Sequence, residues 1–276
     1  MFGAIIGDIV GSAYEFCNIK TKDFPLFSPA CDYTDDSLMT IAVGQALSTP
    51  WEDMEALKKN FVQTMQAMGQ AYPYPTGSYG GRFSAWLRSR NPQPYGSFGN
   101  GSAMRVSPCG LYAATLEEAL DLAKASAEVT HNHPEGIKGA QATAAAIFLA
   151  RTGSGKDSIR DYIREHFYPL EETLEQIRPA YRFDESCQGT VPQAIQAFLE
   201  SDSFEDAIRN AVSLGGDSDT LGVITGSMAW SYYCAQNGGA PTADMRAIWD
   251  TAAGYLPSDL AAFAEEFRIY CNRNKN

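Results

Sequence analysis

Two stretches of the chain carry the residue types of a hard-cation site. One is Gly215-Gly216-Asp217-Ser218-Asp219-Thr220 and the other is Thr34-Asp35-Asp36-Ser37. Each sets carboxylates and hydroxyls at the start of a helical pattern. Leu221, Ile224 and Met228 follow the first; Leu38, Ile41, Ala42 and Ala46 follow the second. Oxygen-only ligands suit Mg²⁺ or Mn²⁺ and not zinc, so the two stretches would hold such ions if they converged. The competing reading is ordinary capping, because Asp, Ser and Thr are common N-caps and acids in a first turn favour the helix dipole. Capping needs only one side-chain oxygen, and each stretch has more acids than that. The glycine pair also permits close backbone approach at an entropic cost.

Other motifs are weaker. Gly99-Asn100-Gly101-Ser102-Ala103-Met104 follows GxGxxG until Met stands in the last place, and no strand pattern precedes it. A dinucleotide fingerprint is therefore rejected. A loop whose N–H groups cradle phosphates and an ordinary tight turn both remain open. Gly153-Ser154-Gly155-Lys156 lacks the upstream glycine of a P-loop and has Asp157 where Ser or Thr belongs, so it reads as a linker between helices. His131-Asn132-His133-Pro134 has too few partners for zinc, since the chain holds 3 histidines. A polar role in a ligand pocket or a capping turn suits it better. Glu15, at the end of an apolar segment beside Tyr14, reads alone as a surface residue.

The elements that must position these groups are helical. Residues 1–16 are apolar, with Gly3, Gly7 and Gly11 on one helical face that can pack closely on a neighbour or line a pocket. Helical patterns follow at 35–48, 52–71, 116–128, 135–152, 157–167, 171–180, 190–200, 204–214, 219–236, 243–253 and 258–272. Strand alternation is nearly absent. The region 72–110 is rich in Gly, Pro, Tyr, Ser and Asn, with one short helical piece, and so long an irregular stretch is usually functional. The sequence thus predicts a single all-α domain over 1–276 with glycine-rich loops gathered at one end.

Composition narrows the function. A net charge of −12 and a pI near 4.7 argue against an extended nucleic-acid surface. They leave room for a small anion held by a few local donors. No apolar run is long enough to span a membrane, and Asp8 interrupts the first apolar run too early for a signal peptide. The 6 cysteines show no CxxC spacing and read as reduced thiols, which places the chain in the cytoplasm.

Taken in order along the chain, these residues resemble the ADP-ribosylglycohydrolase family, the DraG-like enzymes. The resemblance rests on Gly7-Asp8-x-x-Gly11-x-x-Tyr14-Glu15, Thr34-Asp35-Asp36-Ser37, Tyr79-Gly80-Gly81-Arg82, Gly99 to Arg105, Thr130-His131 through Gly139-Ala140, and Gly216 to Thr220. No single piece decides it; the ordered set is specific. It implies a compact orthogonal multi-helix bundle around a dinuclear Mg²⁺ or Mn²⁺ centre. Carried over by position, Thr34, Asp35, Asp36, Asp217, Asp219 and Thr220 are implied as metal ligands. Glu15 is implied as a mobile acid over the metals. Asp35, Asp219 and Glu15 are the implied acids for proton transfer. Tyr79, Gly80, Phe98, Gly99, Asn100, Gly101, Ser102, Met104 and His133 are implied to line the ADP-ribose groove. Ser37 departs from the Thr frequent in relatives, at a position not expected to touch metal.

The resemblance also implies the reaction: hydrolysis of the bond between ribose C1″ and an acceptor, through oxocarbenium-like charge. The expected substrate is an ADP-ribosylated protein, with arginine as leading acceptor, or an ADP-ribosylated small molecule, and the enzyme is expected to act as a monomer. Two alternatives belong to other classes. One is a catalytically inactive ADP-ribose-binding module, which need not keep six oxygen ligands. The other is a two-metal nucleotide phosphoesterase, whose usual histidine ligands are scarce here.

Overall fold

The computed structural model describes residues 1–273. Among them the regular structure is helical, apart from two isolated bridges, Thr34 with Thr76 and Gly99 with Ser186. The helices are α1 (Phe2–Ser12), α2 (Asp35–Ser48), α3 (Met54–Ala71), α4 (Gly81–Leu87), α5 (Gly101–Met104), α6 (Ser107–Tyr112), α7 (Leu116–Glu128) and α8 (Pro134–Arg151). They continue with α9 (Lys156–His166), α10 (Leu174–Ile177), α11 (Cys187–Leu199), α12 (Phe204–Val212), α13 (Ser218–Gln236), α14 (Ala243–Ala252) and α15 (Ser258–Arg273).

Three differences from the sequence expectations matter. The region 72–110 contains three short helices, α4 to α6, where one was expected. The helix expected over 171–180 shrinks to α10, whose start is fixed by Thr173 and Gln176 in a capping box. The helix expected from 190 begins at Cys187, because Ser186 accepts the Gly189 N–H and so supplies the cap three residues earlier.

The centre of the fold is α13, whose residues Ser218 to Ser231 are all buried. It is enclosed on all sides by other helices and shows no single apolar stripe. Along one side runs α1, antiparallel and unusually close. A Cβ placed on Gly7 would lie 2.0 Å from the Gly222 carbonyl oxygen. One on Gly222 would lie 2.3 Å from the Gly7 oxygen. Gly3 against Gly226 repeats the arrangement, and Gly11 meets Ser218. The four-residue glycine face therefore packs backbone against backbone. Its consequence for the site is geometric: the C-terminal end of α1 is locked beside the N-terminus of α13. The sides of this pair are enclosed by α2, α8, α11 and α12, and buried Ile5, Ile6, Ile9, Leu38, Ile41, Val191, Ile195, Ile224 and Met228 form the core between them.

Candidate metal centre and substrate cleft

The acidic starts of α2 and α13 meet. The Thr220 hydroxyl donates to Asp36 Oδ2 at 2.9 Å, across 184 residues of sequence. Each start is built differently. Thr34 is a true N-cap, accepting the Asp36 N–H at 3.1 Å. Its own hydroxyl donates to Asp8 Oδ1 at 2.6 Å, and its N–H donates to Asp8 Oδ2 at 2.9 Å. Asp8 Oδ2 also accepts the Ser37 N–H at 3.1 Å. This fully buried carboxylate of α1 thus holds the first turn of α2 in place. Asp217 occupies the N-cap position of α13 but makes no capping hydrogen bond. It follows Gly215 and Gly216, both left-handed (φ 69° and 74°), which turn the chain so that its carboxylate faces the cleft. There Asp217 Oδ2 accepts from Asn100 Nδ2 at 2.6 Å. Capping therefore accounts for Thr34 and leaves Asp217 unexplained.

Glu15 reaches the same place from the turn after α1. Glu15, Asp217 and Asp219 each offer one carboxylate oxygen, and these lie within 4.8 Å of one another. The turn is held by Asn18, whose Nδ2 donates to the carbonyls of Tyr14 and Glu15 at 2.8 Å and of Gly216 at 2.9 Å. Asn18 Oδ1 accepts the Gly216 N–H at 2.7 Å. Lys20 adds donation to the carbonyls of Leu214 and Tyr181. One exposed asparagine so ties the Glu15 turn to the Asp217 turn.

Six carboxylates, those of Asp8, Glu15, Asp35, Asp36, Asp217 and Asp219, crowd into this volume. All have raised pKa values. Burial is the leading cause in each case, and repulsion from neighbouring carboxylates adds to it for Glu15, Asp35, Asp36, Asp217 and Asp219. Asp8 is pushed up to about 6 and Glu15 to about 7. None of the ion pairs among the described residues reaches these acids. A concentration of buried negative charge with no basic side chain to offset it is chemically suited to divalent cations with oxygen ligands.

All of these acids but Asp8 floor a cavity of about 550 Å³, within the range of small-molecule sites. Its walls include Tyr79, Gly80, Arg82, Tyr95, Gly99, Asn100, Gly101, Met104 and His131, and Phe16, Phe183 and Glu185 stand at it too. The glycine loop is placed by a short antiparallel pairing: Asn100 N donates to the Glu185 carbonyl at 2.7 Å, and Cys187 N donates to that of Phe98 at 2.9 Å.

A family model described as ADP-ribosylglycohydrolase matches residues 1–237. The chain belongs to the ADP-ribosylglycohydrolase family. Among its relatives are the mouse (Mus musculus) ADP-ribosylhydrolase ARH3, 25% identical with 84% of this chain and 82% of that protein covered. The Pseudomonas putida ADP-ribosylarginine hydrolase Tri1 is 25% identical, covering 84% and 69%. The Rhodospirillum rubrum ADP-ribosyl-[dinitrogen reductase] glycohydrolase is 27% identical, covering 72% and 68%. A solved structure titled "ADP-ribosylglycohydrolase-related protein complex" shares the fold, with a TM-score of 0.69 and 22% identity over 99% of this chain and 95% of that one.

In this ADP-ribosylglycohydrolase the residues expected at the metals divide into two layers. Asp35, Asp36, Asp217, Asp219 and Thr220 line the cavity with Glu15. Thr34 is fully buried and does not line it. Of the residues expected at the groove, Tyr79, Gly80, Gly99, Asn100, Gly101 and Met104 line the cavity; Phe98, Ser102 and His133 do not. The Ser102 hydroxyl turns inward to the Gly136 carbonyl at 2.7 Å. His133 is the exposed N-cap of α8, its Nδ1 accepting the Glu135 N–H at 3.1 Å, and its ring meets the half-exposed Phe98 edge-on. The histidine in the cavity wall is His131, which is buried. Sequence reasoning gave no site role to Asp8 and, within the His131–Pro134 stretch it left open between a pocket role and a capping turn, chose His133 for the groove in place of His131. Pro134 was the available signal for the latter, since Pro favours the first helical position and so makes the residue before it a cap.

Proposed function

We propose that this chain is a metal-dependent ADP-ribosyl-acceptor hydrolase that releases ADP-ribose by cleaving the bond at ribose C1″. The observation that carries the metal dependence is the meeting of two acidic helix starts on the cavity floor without a basic partner. Thr34, Asp35, Asp36, Asp217, Asp219 and Thr220 would hold two Mg²⁺ or Mn²⁺ ions. When bound, such ions supply Lewis-acid contacts for sugar hydroxyls and lower the pKa of water at the reacting carbon. The chain's own groups do the rest. Asn100 orients Asp217 through their 2.6 Å hydrogen bond. Glu15, with its pKa lifted to about 7 by burial and by its neighbours Asp217 and Asp8, is poised to exchange a proton near neutrality. Asp35 and Asp219 are the other acids placed for proton transfer. The Gly99 to Met104 loop and the Arg82 guanidinium offer the donors and the positive charge that the diphosphate needs.

Arginine is the acceptor this reading favours. Phe16 and Phe183 are exposed aromatics that line the cavity together with Glu15 and Glu185, and a planar guanidinium is recognised by ring faces and carboxylates together. The curated relative from Pseudomonas putida is named for that linkage. The packing of α1, near the start of the chain, along α13 supports reading 1–276 as one domain. A cytoplasmic monomer is part of the same proposal.

The deciding experiment is a panel of ADP-ribosylated arginine, serine and small-molecule substrates, with Mg²⁺ or Mn²⁺ or chelator, scored for free ADP-ribose. Release from the arginine substrate that stops with chelator is expected. Binding of ADP-ribose without any turnover identifies an inactive reader, and release of AMP identifies a phosphoesterase; either result refutes the proposal.

A further inference from the structure

Three buried side chains are linked at the cavity wall, where Arg105 and His131 both line the cavity and Thr130 joins them from behind. Arg105 is 1% exposed, faces no carboxylate, and donates from Nη2 to the Ser126 carbonyl at 2.9 Å and to Thr130 Oγ1 at 2.7 Å. Thr130 is fully buried, and its Oγ1 lies 2.6 Å from His131 Nδ1. The far edge of the His131 ring meets the glycine loop. A Cβ on Gly101 would stand 3.2 Å from His131 Nε2, and one on Gly99 would stand 3.6 Å from it.

The proton count along this chain has one good solution. A guanidinium only donates, so Thr130 Oγ1 spends a lone pair on Arg105. The hydroxyl hydrogen then has two acceptors in reach: His131 Nδ1 at 2.6 Å or the Ala127 carbonyl at 3.4 Å. Sending it to Nδ1 makes the short contact a strong hydrogen bond. The reverse arrangement, Nδ1–H toward Thr130, would load one hydroxyl with two donors and leave its own hydrogen to a long, weak contact.

From this geometry we infer that Arg105 and Thr130 are positioning residues that fix His131 in its Nε2–H form, so that the ring presents a neutral hydrogen-bond donor to an anionic group of the substrate beside the Gly99–Gly101 loop. This rests on the ADP-ribose reading of the cleft for the identity of that group, a diphosphate oxygen. The charged groups around the ring agree with a neutral imidazole: burial first, then the cations of Arg105 and Arg82, hold His131 well below the ordinary histidine range. Tyr95 is the other titratable group against it, with ring centroids 5.9 Å apart.

The tautomer is readable in the free protein by long-range ¹H–¹⁵N NMR of the histidine rings, which number 3. The expected spectrum shows His131 with a bare Nδ1 and a protonated Nε2, unchanged from pH 5 to pH 8. Thr130→Val, which keeps the shape and removes the hydroxyl, is expected to mix the two tautomers and to weaken ADP-ribose binding about tenfold, the worth of one hydrogen bond to a charged group. Thr130→Ser is expected to restore both readouts. A wild-type Nδ1–H ring, or a Thr130→Val protein with an unmixed Nε2–H ring, overturns the inference. If Thr130→Val does not fold, the wild-type and Thr130→Ser spectra decide alone. If the wild-type shows the expected tautomer and yet has no affinity for ADP-ribose, the reading of the cleft has failed, and with it the role given to the Nε2–H.

Discussion

Thr220 donates its hydroxyl hydrogen to Asp36 Oδ2 at 2.9 Å, and through this bond the starts of α2 and α13 face each other. Both residues are nearly sealed from water, yet the bond does little to offset the charge around it. Burial first, and then the neighbouring Asp35, Asp8 and Asp217, keep the Asp36 pKa well above normal. The bond orders two groups whose greater energetic need is a cation.

Replacing Asp36 or Asp219 by Asn therefore has opposite effects on stability and function. The amide is neutral without having to take up a proton while the shape stays, so the metal-free protein should melt a few degrees higher near neutral pH. Divalent-ion binding should weaken by at least roughly tenfold and ADP-ribose release should fall by at least about a hundredfold. Thermal scans in chelator, metal titration and turnover check the three parts. Normal turnover with metal still bound would contradict the ligand assignment.

The pH dependence of the metal-free protein has a fixed sign. Asp8 is raised from 3.8 to about 6 and Glu15 from 4.5 to about 7 in the folded state, chiefly by burial. Glu15 is partly exposed, so its share is discounted for solvent screening. A raised folded-state pKa means that folding takes up protons. Its stabilising share is complete below the unfolded carboxylate pKa near 4 and fades as pH rises through 6 to 7. In chelator, the melting temperature should fall by several degrees between pH 5 and pH 7.5. Mg²⁺ or Mn²⁺ should restore it at pH 7.5 and have little effect at pH 5, where protons compete for the same oxygens. A melting temperature that climbs with pH in chelator is the opposite result and rules this account out.

How much of this was legible in the sequence depends on the range over which each signal acts. The starts of α2 and α13 could be read because acids, hydroxyls and helical periodicity stand within a few residues of one another. The glycines of α1 announced a close-packed face but not its partner, since Gly222 and Gly226 lie more than two hundred residues away and α13 shows no single apolar stripe. Asp8 was hidden for a related reason. An acid inside an apolar helix reads as an interruption, and its meaning comes from the Thr34 and Ser37 N–H groups, 26 and 29 residues on. The short helices α5 and α6 were obscured by Gly and Pro, which normally mark loops. Here Pro108 sits in the first turn of α6, where it costs nothing. His131 and His133 stand two residues apart and have opposite fates, because one lines the cleft and the other caps α8.

Gly7→Ala tests the α1–α13 contact. Alanine is the better helix former by about 1 kcal/mol, which would stabilise an exposed helix. Here the added methyl would stand 2.0 Å from the Gly222 carbonyl oxygen, with no side chain to move aside. Steric strain should win, with a net loss of about 2 kcal/mol or more in urea unfolding. Because α1 carries Asp8 and leads into Glu15, metal affinity should fall along with stability. A Gly7→Ala protein as stable as wild type would mean that the two helices do not pack this closely.

Asn18→Ala separates site geometry from fold stability. Asn18 is exposed, so its removal leaves no cavity in the core, and its amide meets water on release. What it loses is the bridge between the carbonyls of Tyr14 and Glu15 on one turn and both backbone groups of Gly216 on the other. Gly216 immediately precedes Asp217, and its left-handed backbone is held in register by that pair of bonds. Freed from it, the Asp217 and Glu15 turns should fluctuate independently. Global stability should then change by no more than about 1 kcal/mol, while ion affinity and turnover fall by roughly tenfold each through lost preorganisation. Asn18→Asp keeps the acceptor but loses the donors and adds a negative charge beside the acids, so it should be the worse variant. Equal turnover in all three proteins would show that the clamp is not what holds Glu15 over the acids.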